Sequence, residues 1–310
     1  MRRSAAGPLI ALAVAVTGLV TTPATASTRP PRSAGFPVTI QTQDGAVQIT
    51  HRPNRILSLS PSATQMLYAI GAGDQVVGVD KYSTYPPNAP RTAFTGAESS
   101  AEGYLTLHPD LVILAFDSGH LVAQLNTVHV PTLLLAPATT ISGAERQITD
   151  LGQATGHLGG AAKTRSALNG FLNREVSAAK GRGRGATYFV EIDQTYYSAT
   201  SKTFIGAMLS RFGMKDIADA ASDASSEYPQ LSAEYVVKAN PDYVFLADTV
   251  CCGQTASTFA KRPGFAALSA VRLHHVIGVN DSVASEWGPH SLESFVTIVA
   301  AVLAGHRSSG

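Results

Sequence analysis

Two glutamates, Glu102 and Glu234, occupy the same place in a unit that the chain contains twice. The unit reads SAEGYLTLHPDLVILA at residues 100–115 and SAEYVVKANPDYVFLA at residues 232–247, with eight of sixteen positions identical at a constant offset of 132. A carboxylate can bind a guanidinium group through two parallel charge-assisted hydrogen bonds, so each glutamate could recognise an arginine. The alternative is structural, because an acid in the first turn of a helix is stabilised by the helix dipole and Ser99 fits a capping box with Glu102.

Aromatic side chains lie where predicted buried strands end. In open α/β sheets, ligands bind beyond the carboxyl ends of the strands. Flat amphipathic rings at such places can hold a broad planar ligand with a few polar contacts at its edge, although tyrosines at strand ends often only seal a core. The predicted ligand-binding residues are Ser60, Tyr82, Tyr85, Tyr196, Tyr197, Tyr228, Cys251, Cys252 and Trp287.

The two cysteines, Cys251 and Cys252, are adjacent, which excludes a disulfide framework. Neighbouring cysteines can bond only through a strained eight-membered ring, which an oxidising compartment allows, and two reduced thiols in a loop are the alternative. None of the nine histidines forms a spaced pair of the metal-binding kind, and His274 and His275 are expected to face opposite ways on a strand. We therefore predict no metal site and no cofactor.

These residues need sheets whose strand ends face a common space, and the sequence predicts two such sheets. After a hairpin at residues 37–50, continuous apolar strands alternate with short helices, the first running from Ser62 to Gly71, which is typical of parallel sheets covered on both faces. A long helical window, which its glycines could divide, separates two such regions. The predicted fold class is α/β, with an N-terminal lobe at 37–140, a connecting helix at 141–183 and a C-terminal lobe at 184–310.

Residues 1–26 have the order of a cleavable export signal, with Arg2 and Arg3, then an apolar run, then Ala24-Thr25-Ala26. The apolar run is short for a membrane anchor and ends in threonine and proline. No cysteine lies near the expected cleavage site, so we predict an exported protein that is soluble and without a lipid anchor. Residues 27–36 are expected to form a disordered lead-in.

Composition and motifs argue against other classes of function. Without the signal, the chain has 21 basic and 22 acidic residues and no basic run, which argues against nucleic-acid binding. An exported α/β hydrolase is a second class to weigh. The chain has no Gly-x-Ser-x-Gly elbow, however, and no histidine is placed by sequence to activate Ser58, Ser60 or Ser62. We therefore predict that the protein is not an enzyme.

Four stretches, in the right order along the chain, resemble the exported binding proteins that serve ABC importers for iron-siderophores, haem and cobalamin. They are RPNRILSLSPSATQMLYAIGAGDQVVGVDKYSTYP, AEGYLTLHPDLVIL, YPQLSAEYVVKANPDYVFLA and RPGFAALSAVRLHHVIGV. The resemblance implies two Rossmann-like lobes bridged by one rigid helix, a metal-organic chelate held between the lobes, and small lobe motion. It also implies that Glu102 and Glu234 dock the protein, expected to be a monomer, on arginines of a permease dimer.

The resemblance is nearest to the cobalamin-binding type. VDKYSTYPPNA looks like that type's tyrosine-bearing loop, with Tyr82 in the tyrosine position, and YPQLSAE looks like its stretch with a stacking aromatic, with Tyr228 in place of tryptophan. A second tryptophan expected near FTGAES is absent, so a ferric siderophore is the alternative ligand. Haem ranks third. It needs an axial ligand, and the Gly-Tyr pair of haem-binding relatives is missing here, which lowers its rank.

Overall fold

A computed structural model describes residues 35–98, 100–221 and 226–305. The predicted export signal lies outside these ranges, as do Ser99 and all of the predicted lead-in except Gly35 and Phe36. Among the helices that the described ranges contain, none has the length and apolar character needed to cross a membrane.

The described chain begins with the predicted hairpin. Its strands are β1 (Val38–Thr42) and β2 (Gly45–Ile49), which pair in antiparallel register with Thr42 opposite Gly45. Gly45 has a φ of +122°, a conformation that a residue without a Cβ atom adopts at little cost, so the tight turn forms at the predicted place.

Four parallel strands form the N-terminal sheet, in the spatial order β4-β3-β5-β6. The elements of this lobe are β3 (Ile56–Leu59), α1 (Pro61–Ala69), β4 (Val76–Val79), α2 (Glu102–Leu105), β5 (Leu111–Leu114), α3 (Leu121–Thr127) and β6 (Thr132–Leu134). The predicted start of α1 at Ser62 was wrong: Ser60 is the N-cap and Pro61 is the first helical residue, where its missing N–H leaves no donor unsatisfied.

Two helices, α4 (Ile141–Thr155) and α5 (Leu158–Ala178), lie between the two sheets in the chain. They occupy most of the predicted connecting region, residues 141–183. Gly156 ends α4 in the left-handed conformation, with a φ of +78°, which is the usual role of a glycine just beyond a helix. The division by glycine that the sequence allowed is therefore confirmed at this position.

The C-terminal sheet also has four parallel strands, in the order β10-β9-β7-β8. The elements of this lobe are β7 (Thr187–Glu191), α6 (Phe204–Arg211), β8 (Lys215–Asp216), α7 (Ala233–Ala239), β9 (Tyr243–Leu246), α8 (Ala256–Ala260), α9 (Ser269–Arg272), β10 (Val276–Gly278), α10 (Asp281–Ser285) and α11 (Pro289–Leu303). The prediction that His274 and His275 lie on the strand was wrong, because β10 starts at Val276 and His274 has a left-handed φ of +59°.

One buried apolar cluster extends through both lobes. It contains Ile56 and Leu111 of the N-terminal sheet, Val190 and Phe245 of the C-terminal sheet, and Phe295 of α11. Two smaller clusters cover the other faces of the sheets. The lobes are therefore joined by shared apolar burial as well as by α4 and α5, which is the strongest general source of stability in a folded chain.

Candidate ligand-binding cleft

The repeated unit places an aspartate at the same backbone junction in each lobe. Asp110 accepts hydrogen bonds from the backbone N–H groups of Asn54 and Arg55, both at 2.8 Å, just before β3. Asp242 accepts one from the backbone N–H of Thr187 at 2.8 Å, at the start of β7. Arg55 and Thr187 are separated by the same offset of 132 as the two aspartates, so both lobes join their first and third strands in the same way.

Glu102 and Glu234 open the short helices α2 and α7, and both side chains are exposed. Neither carboxylate forms a hydrogen bond or ion pair with another residue in the described part of the chain. Ser232 caps α7 by accepting from the backbone N–H of Tyr235 at 3.1 Å, whereas α2 has no side-chain cap among the described residues. The two charges are thus available to a partner outside the molecule, and the docking role stays a prediction.

A buried hydrogen-bonded seam joins the carboxyl edge of the N-terminal sheet to the C-terminal lobe. The backbone N–H of Trp287 donates to Ser62 Oγ at 3.0 Å. Gln65 Nε2 donates to Ser291 Oγ at 2.8 Å, and the backbone N–H of Ser291 donates to Gln65 Oε1 at 3.0 Å. Gln65 also donates to the carboxylate of Glu286. Because the seam lies directly beyond β3, the strand ends of the two lobes approach each other here.

Two residues predicted to bind ligand, Ser60 and Trp287, are buried beside this seam. Ser60 Oγ accepts a hydrogen bond from the backbone N–H of Ala63 at 3.3 Å and so caps α1. Trp287 Nε1 donates to Gln147 Oε1 at 2.7 Å. Both polar groups have partners inside the protein, so these residues shape the cleft from beneath.

Two buried acids, Asp80 and Glu286, come from opposite lobes at the base of the cleft. Burial raises the pKa of Glu286 to about 7, and the negative charge of Asp80 adds to the shift. Burial also raises the pKa of Asp80, while hydrogen bonds from the backbone N–H groups of Tyr82 (2.8 Å) and Ser83 (2.7 Å) to Asp80 Oδ1 oppose that shift. Asp80 therefore fixes the start of the loop that presents Tyr82.

Tyr82 and Tyr85 lie in the loop after β4, but they differ in what they offer to a ligand. The ring of Tyr82 is 58% exposed, with Lys81 Nζ located 4.8 Å from its centroid. The ring of Tyr85 stacks on His290 of α11, with centroids 3.7 Å apart and planes 5° from parallel. Tyr85 thus has one face against the other lobe and is only partly exposed, whereas Tyr82 is open to the solvent.

In the C-terminal lobe, the structure brings two predicted tyrosine stretches together. The segment after β7 runs antiparallel to the segment before α7, with a bridge between Tyr197 and Gln230. The backbone N–H of Leu231 donates to the carbonyl of Tyr196 at 2.9 Å. Tyr197 and Tyr228 are both exposed beside this pairing, whereas Tyr196 packs against the buried ring of Phe265.

Cys251 and Cys252 form a disulfide bond, which decides between the two alternatives that the sequence left open. Both residues are exposed in the loop that follows β9, next to Val250. Asp281, at the start of α10, accepts hydrogen bonds from the backbone N–H groups of Val250 (2.8 Å) and Cys251 (2.7 Å). The disulfide therefore lies at the carboxyl end of the C-terminal sheet, as the prediction required.

Phe116 is an exposed aromatic residue that the predicted site did not include. It follows β5 by two residues and is 62% exposed. From β3 the chain continues to β4 on one side, and from β5 it continues to β6 on the other, so a topological switch point lies between β3 and β5. Open α/β sheets bind their ligands at such a point. A phenylalanine directly after the buried run DLVILA was the sequence signal that could have identified it.

A buried cluster of Glu191, Asp248 and Arg262 at the equivalent place in the C-terminal lobe was also missed. Glu191 ends β7, Asp248 follows β9, and both are fully buried. Burial and the charge of Glu191 raise the pKa of Asp248 to about 7. At the offset of 132, Glu191 corresponds to Leu59 and Asp248 to Phe116 in the N-terminal lobe. The two lobes therefore have acidic residues in one and apolar residues in the other at these strand ends. Acids that end two apolar strands were the signal in the sequence.

The arrangement as a whole suits binding. It offers separate aromatic faces and an exposed disulfide around strand ends that meet at a hydrogen-bonded seam. Within the described ranges, no group of three or more histidine, cysteine, aspartate or glutamate side chains is placed to hold a metal ion. A groove of about 770 Å³ in the C-terminal lobe is lined by Thr249 and Gln254, which flank the disulfide loop, and by Asn280.

Two lobes with parallel sheets, linked by helices and joined beside their strand ends, define a bilobed α/β binding protein. The chain belongs to the periplasmic binding protein family, whose sequence model matches residues 56–283. This family consists of binding proteins rather than enzymes, and the resemblance that the sequence motifs indicated is confirmed.

Two relatives have descriptions that bear on function. The Bacillus subtilis protein YvrC, described as an uncharacterized ABC transporter substrate-binding lipoprotein, is 30% identical over 273 residues, which cover 83% of each chain. A cobalamin-binding protein of Halobacterium salinarum is 32% identical over 260 residues, which cover 79% of this chain and 69% of the relative. The chain is therefore a substrate-binding protein of the ABC-transporter type.

Solved structures confirm the predicted fold. The vitamin B12 binding protein BtuF of Vibrio cholerae matches with a TM-score of 0.66 at 24% identity, covering 83% of this chain and 98% of BtuF. The periplasmic heme-binding protein RhuT of Roseiflexus matches with a TM-score of 0.71 at 24% identity, covering 83% of this chain and all of RhuT (100%). At these identities the likeness shows the two-lobed fold alone, and the same fold serves two kinds of ligand.

Proposed function

We propose that this protein captures a corrinoid, with cobalamin as the leading ligand, and delivers it to the permease of an ABC importer. The observation that supports the ligand class is the set of exposed aromatic faces at the strand ends of both lobes, foremost Tyr82 and Tyr228, which is 49% exposed. A corrin ring is broad and flat, and rigid aromatic faces bind such a surface with little loss of side-chain entropy. The Halobacterium relative, a cobalamin-binding protein, supports the same choice.

The proposed ligand surface combines residues of both lobes that are accessible in the structure. Tyr82, Tyr85 and Phe116 belong to the N-terminal lobe, and the remaining members, Tyr197, Tyr228, Cys251 and Cys252, belong to the C-terminal lobe. Ser60, Tyr196 and Trp287 support these residues from below rather than contacting the ligand first. We expect the residues of the N-terminal lobe and those of the C-terminal lobe to contact the ligand from opposite sides of the cleft.

Docking on the permease is the second part of the proposal. Glu102 and Glu234 have exposed carboxylates at equivalent places in the two lobes. A pair of acids related by the internal repeat suits a partner with two-fold symmetry that presents one arginine to each lobe. Charges at the rim of an interface act mainly on orientation and association rate, so this contact directs delivery more than it adds affinity.

The proposed setting is outside the cytoplasmic membrane, with the export signal at residues 1–26 removed and the protein acting as a monomer. The absence of a cysteine near the expected cleavage site supports release without a lipid anchor. The Bacillus relative is described as a lipoprotein, so the anchoring of this chain needs its own test. The mass of the secreted mature protein would show both the cleavage site and any attached lipid.

Calorimetric titration tests the ligand. The purified protein is titrated with cyanocobalamin and, separately, with a ferric hydroxamate siderophore. We expect one-to-one binding of cyanocobalamin and little heat with the siderophore. Heat with the siderophore alone would reject the corrinoid and retain the family function, because the family holds several chelates on one fold.

A further inference from the structure

The loop Val250–Gly253, here named the disulfide tip, is the most exposed part of the proposed ligand surface in the C-terminal lobe. Val250 is 68% exposed, and both cysteines of the disulfide are accessible to the solvent. Exposed apolar side chains are usually scattered singly, whereas Val250, Cys251 and Cys252 are three consecutive exposed residues.

Two sets of hydrogen bonds hold the disulfide tip at its ends. On one side, both carboxylate oxygens of Asp281 accept from the backbone N–H groups of Val250 (2.8 Å) and Cys251 (2.7 Å). On the other side, Gln254 Oε1 accepts from Arg262 Nη2 at 2.8 Å. The backbone N–H of Gln254 also donates to the carbonyl of Asp248 at 3.3 Å, and the bond between the adjacent cysteines is a further constraint on the loop.

The disulfide tip is connected to the seam between the lobes through a single short helix. Asp281, which accepts from the tip, is the first residue of α10, and α10 ends at Ser285. The next residue, Glu286, accepts from Gln65 of the N-terminal lobe and from Ser291 Oγ at 3.1 Å. The five-residue helix α10 thus connects the aspartate that anchors the tip to the buried contact that joins the lobes.

We propose that Cys251–Cys252 is a site of thiol–disulfide exchange whose redox state sets the affinity of the cleft; this inference rests on the proposed function. The co-reactant is a protein dithiol. Its thiolate attacks one cysteine sulfur and forms a mixed disulfide, and the other cysteine leaves as a thiolate and takes a proton. The second thiol of the reductant then attacks the mixed disulfide, so two electrons and two protons pass to the protein and the reductant becomes a disulfide.

The oxidised form is the one that binds ligand tightly. Its ring fixes the backbone of both exposed cysteines. Reduction releases Cys252, whereas the backbone N–H of Cys251 stays bonded to Asp281. The ligand must then order Cys252 when it binds. We expect reduction to weaken ligand binding about tenfold, which corresponds to the cost of ordering roughly one residue's backbone.

The test compares oxidised protein, protein reduced with dithiothreitol and then freed of reductant under anaerobic conditions, and the double variant C251S/C252S. Thiols are counted in each sample, and each is titrated with cyanocobalamin and with a ferric hydroxamate siderophore. We expect oxidised protein to bind tightly, while the reduced protein and the double variant bind about tenfold more weakly. Treatment with dithiothreitol should leave the double variant unchanged. Equal affinity of the oxidised and reduced protein would overturn the inference.

Hydrogen exchange tests the effect of the redox state without a bound ligand. If oxidised protein binds neither compound, the proposed function fails, and the amide exchange of the tip and of α10 then decides the inference. Faster exchange at Cys251, Cys252 and α10 after reduction supports a redox-controlled loop. Unchanged exchange in these segments overturns it. The hairpin of β1 and β2, remote from the tip in sequence, is the internal control for general loosening.

Discussion

The guanidinium group of Arg262 donates two hydrogen bonds, each 2.6 Å long, to the two carboxylate oxygens of Glu191. This is the one ion pair found in the described part of the chain, and the carboxylate is fully buried. Arg262 also lies over the rings of Tyr196 and Phe259, 5.4 Å and 5.0 Å from their centroids. The pair holds the carboxyl end of β7 beneath the tyrosine segment of the proposed cleft.

Removing the positive charge of this pair should destabilise the C-terminal lobe. In Arg262→Met, the carboxylate of Glu191 stays buried without its partner, and such a change typically costs about 3–5 kcal/mol in the free energy of unfolding. Urea unfolding followed by circular dichroism measures the loss. Lys261→Met, at the exposed neighbouring residue, is the control and should change stability little. Equal stability of the two variants would show that the pair does not support the fold.

Asp248 should make the stability of the protein depend on pH. Its pKa is about 7 in the folded protein against 3.8 in the unfolded chain. Between about pH 4 and pH 7, Asp248 is protonated in the folded protein but ionised in the unfolded chain. The contribution of Asp248 to the free energy of unfolding therefore falls as the pH rises from about 4 to about 7, and it is constant above about pH 7. Asp248→Asn should therefore be more stable than the parent at pH 8, by about 1–2 kcal/mol, and lose this advantage towards pH 4.

Urea unfolding of the parent and of Asp248→Asn at pH 4.5, 6 and 8 checks this dependence. Glu286 and Asp216 also have pKa values raised to about 7, so only the difference between variant and parent reports on Asp248. Asp44→Asn, in the exposed hairpin turn, is the control. A difference that stays constant with pH would mean that Asp248 is ionised throughout the range.

Phe116 should contribute to ligand binding although the sequence analysis did not select it. Phe116→Ala removes an exposed ring at the strand ends of the N-terminal lobe, and we expect about a tenfold loss of cyanocobalamin affinity, typical of an aromatic contact. Leu273→Ala is the matched control, because Leu273 is equally exposed but precedes β10 at the opposite edge of its sheet. Wild-type affinity in Phe116→Ala would remove this residue from the site.

The two exposed glutamates should act on delivery and leave capture unchanged. In the double variant E102Q/E234Q, ligand affinity should stay at the parent value, whereas association with the permease in lipid nanodiscs should slow by about tenfold at low salt. The single variants should each show a partial effect, since each lobe contributes one charge. If the double variant associates with the permease at the parent rate, the two acids serve only to stabilise the first turns of their helices.

Much of the fold follows from local sequence patterns, because the alternation of apolar strands and helices depends on neighbours within a few residues. The hairpin at Gly45 and the break at Gly156 are examples, since each needs only the backbone freedom of glycine. The start of α1 was misplaced because both Ser60 and Ser62 can cap a helix, and the choice depends on Pro61 between them.

The site was less predictable because its geometry depends on contacts that are distant in sequence. The hydrogen bond between Trp287 and Ser62, which buries the predicted ligand residue Trp287, joins positions 225 residues apart. Glu191 and Arg262 are separated by 71 residues. No local pattern reports such a pairing, whereas the exposed Tyr82 and Tyr228 could be selected because they follow or precede elements that the sequence defines well.

The central claim is that a corrinoid is held between aromatic faces of the two lobes. The most direct measurement is a cyanocobalamin titration of the parent, Tyr82→Ala, Tyr228→Ala and the double variant, with Leu273→Ala as the control. We predict one-to-one binding by the parent, a loss of about tenfold in each single variant and a larger loss in the double variant. Binding that is unaffected by either substitution, or its absence in a correctly folded parent, would contradict the claim.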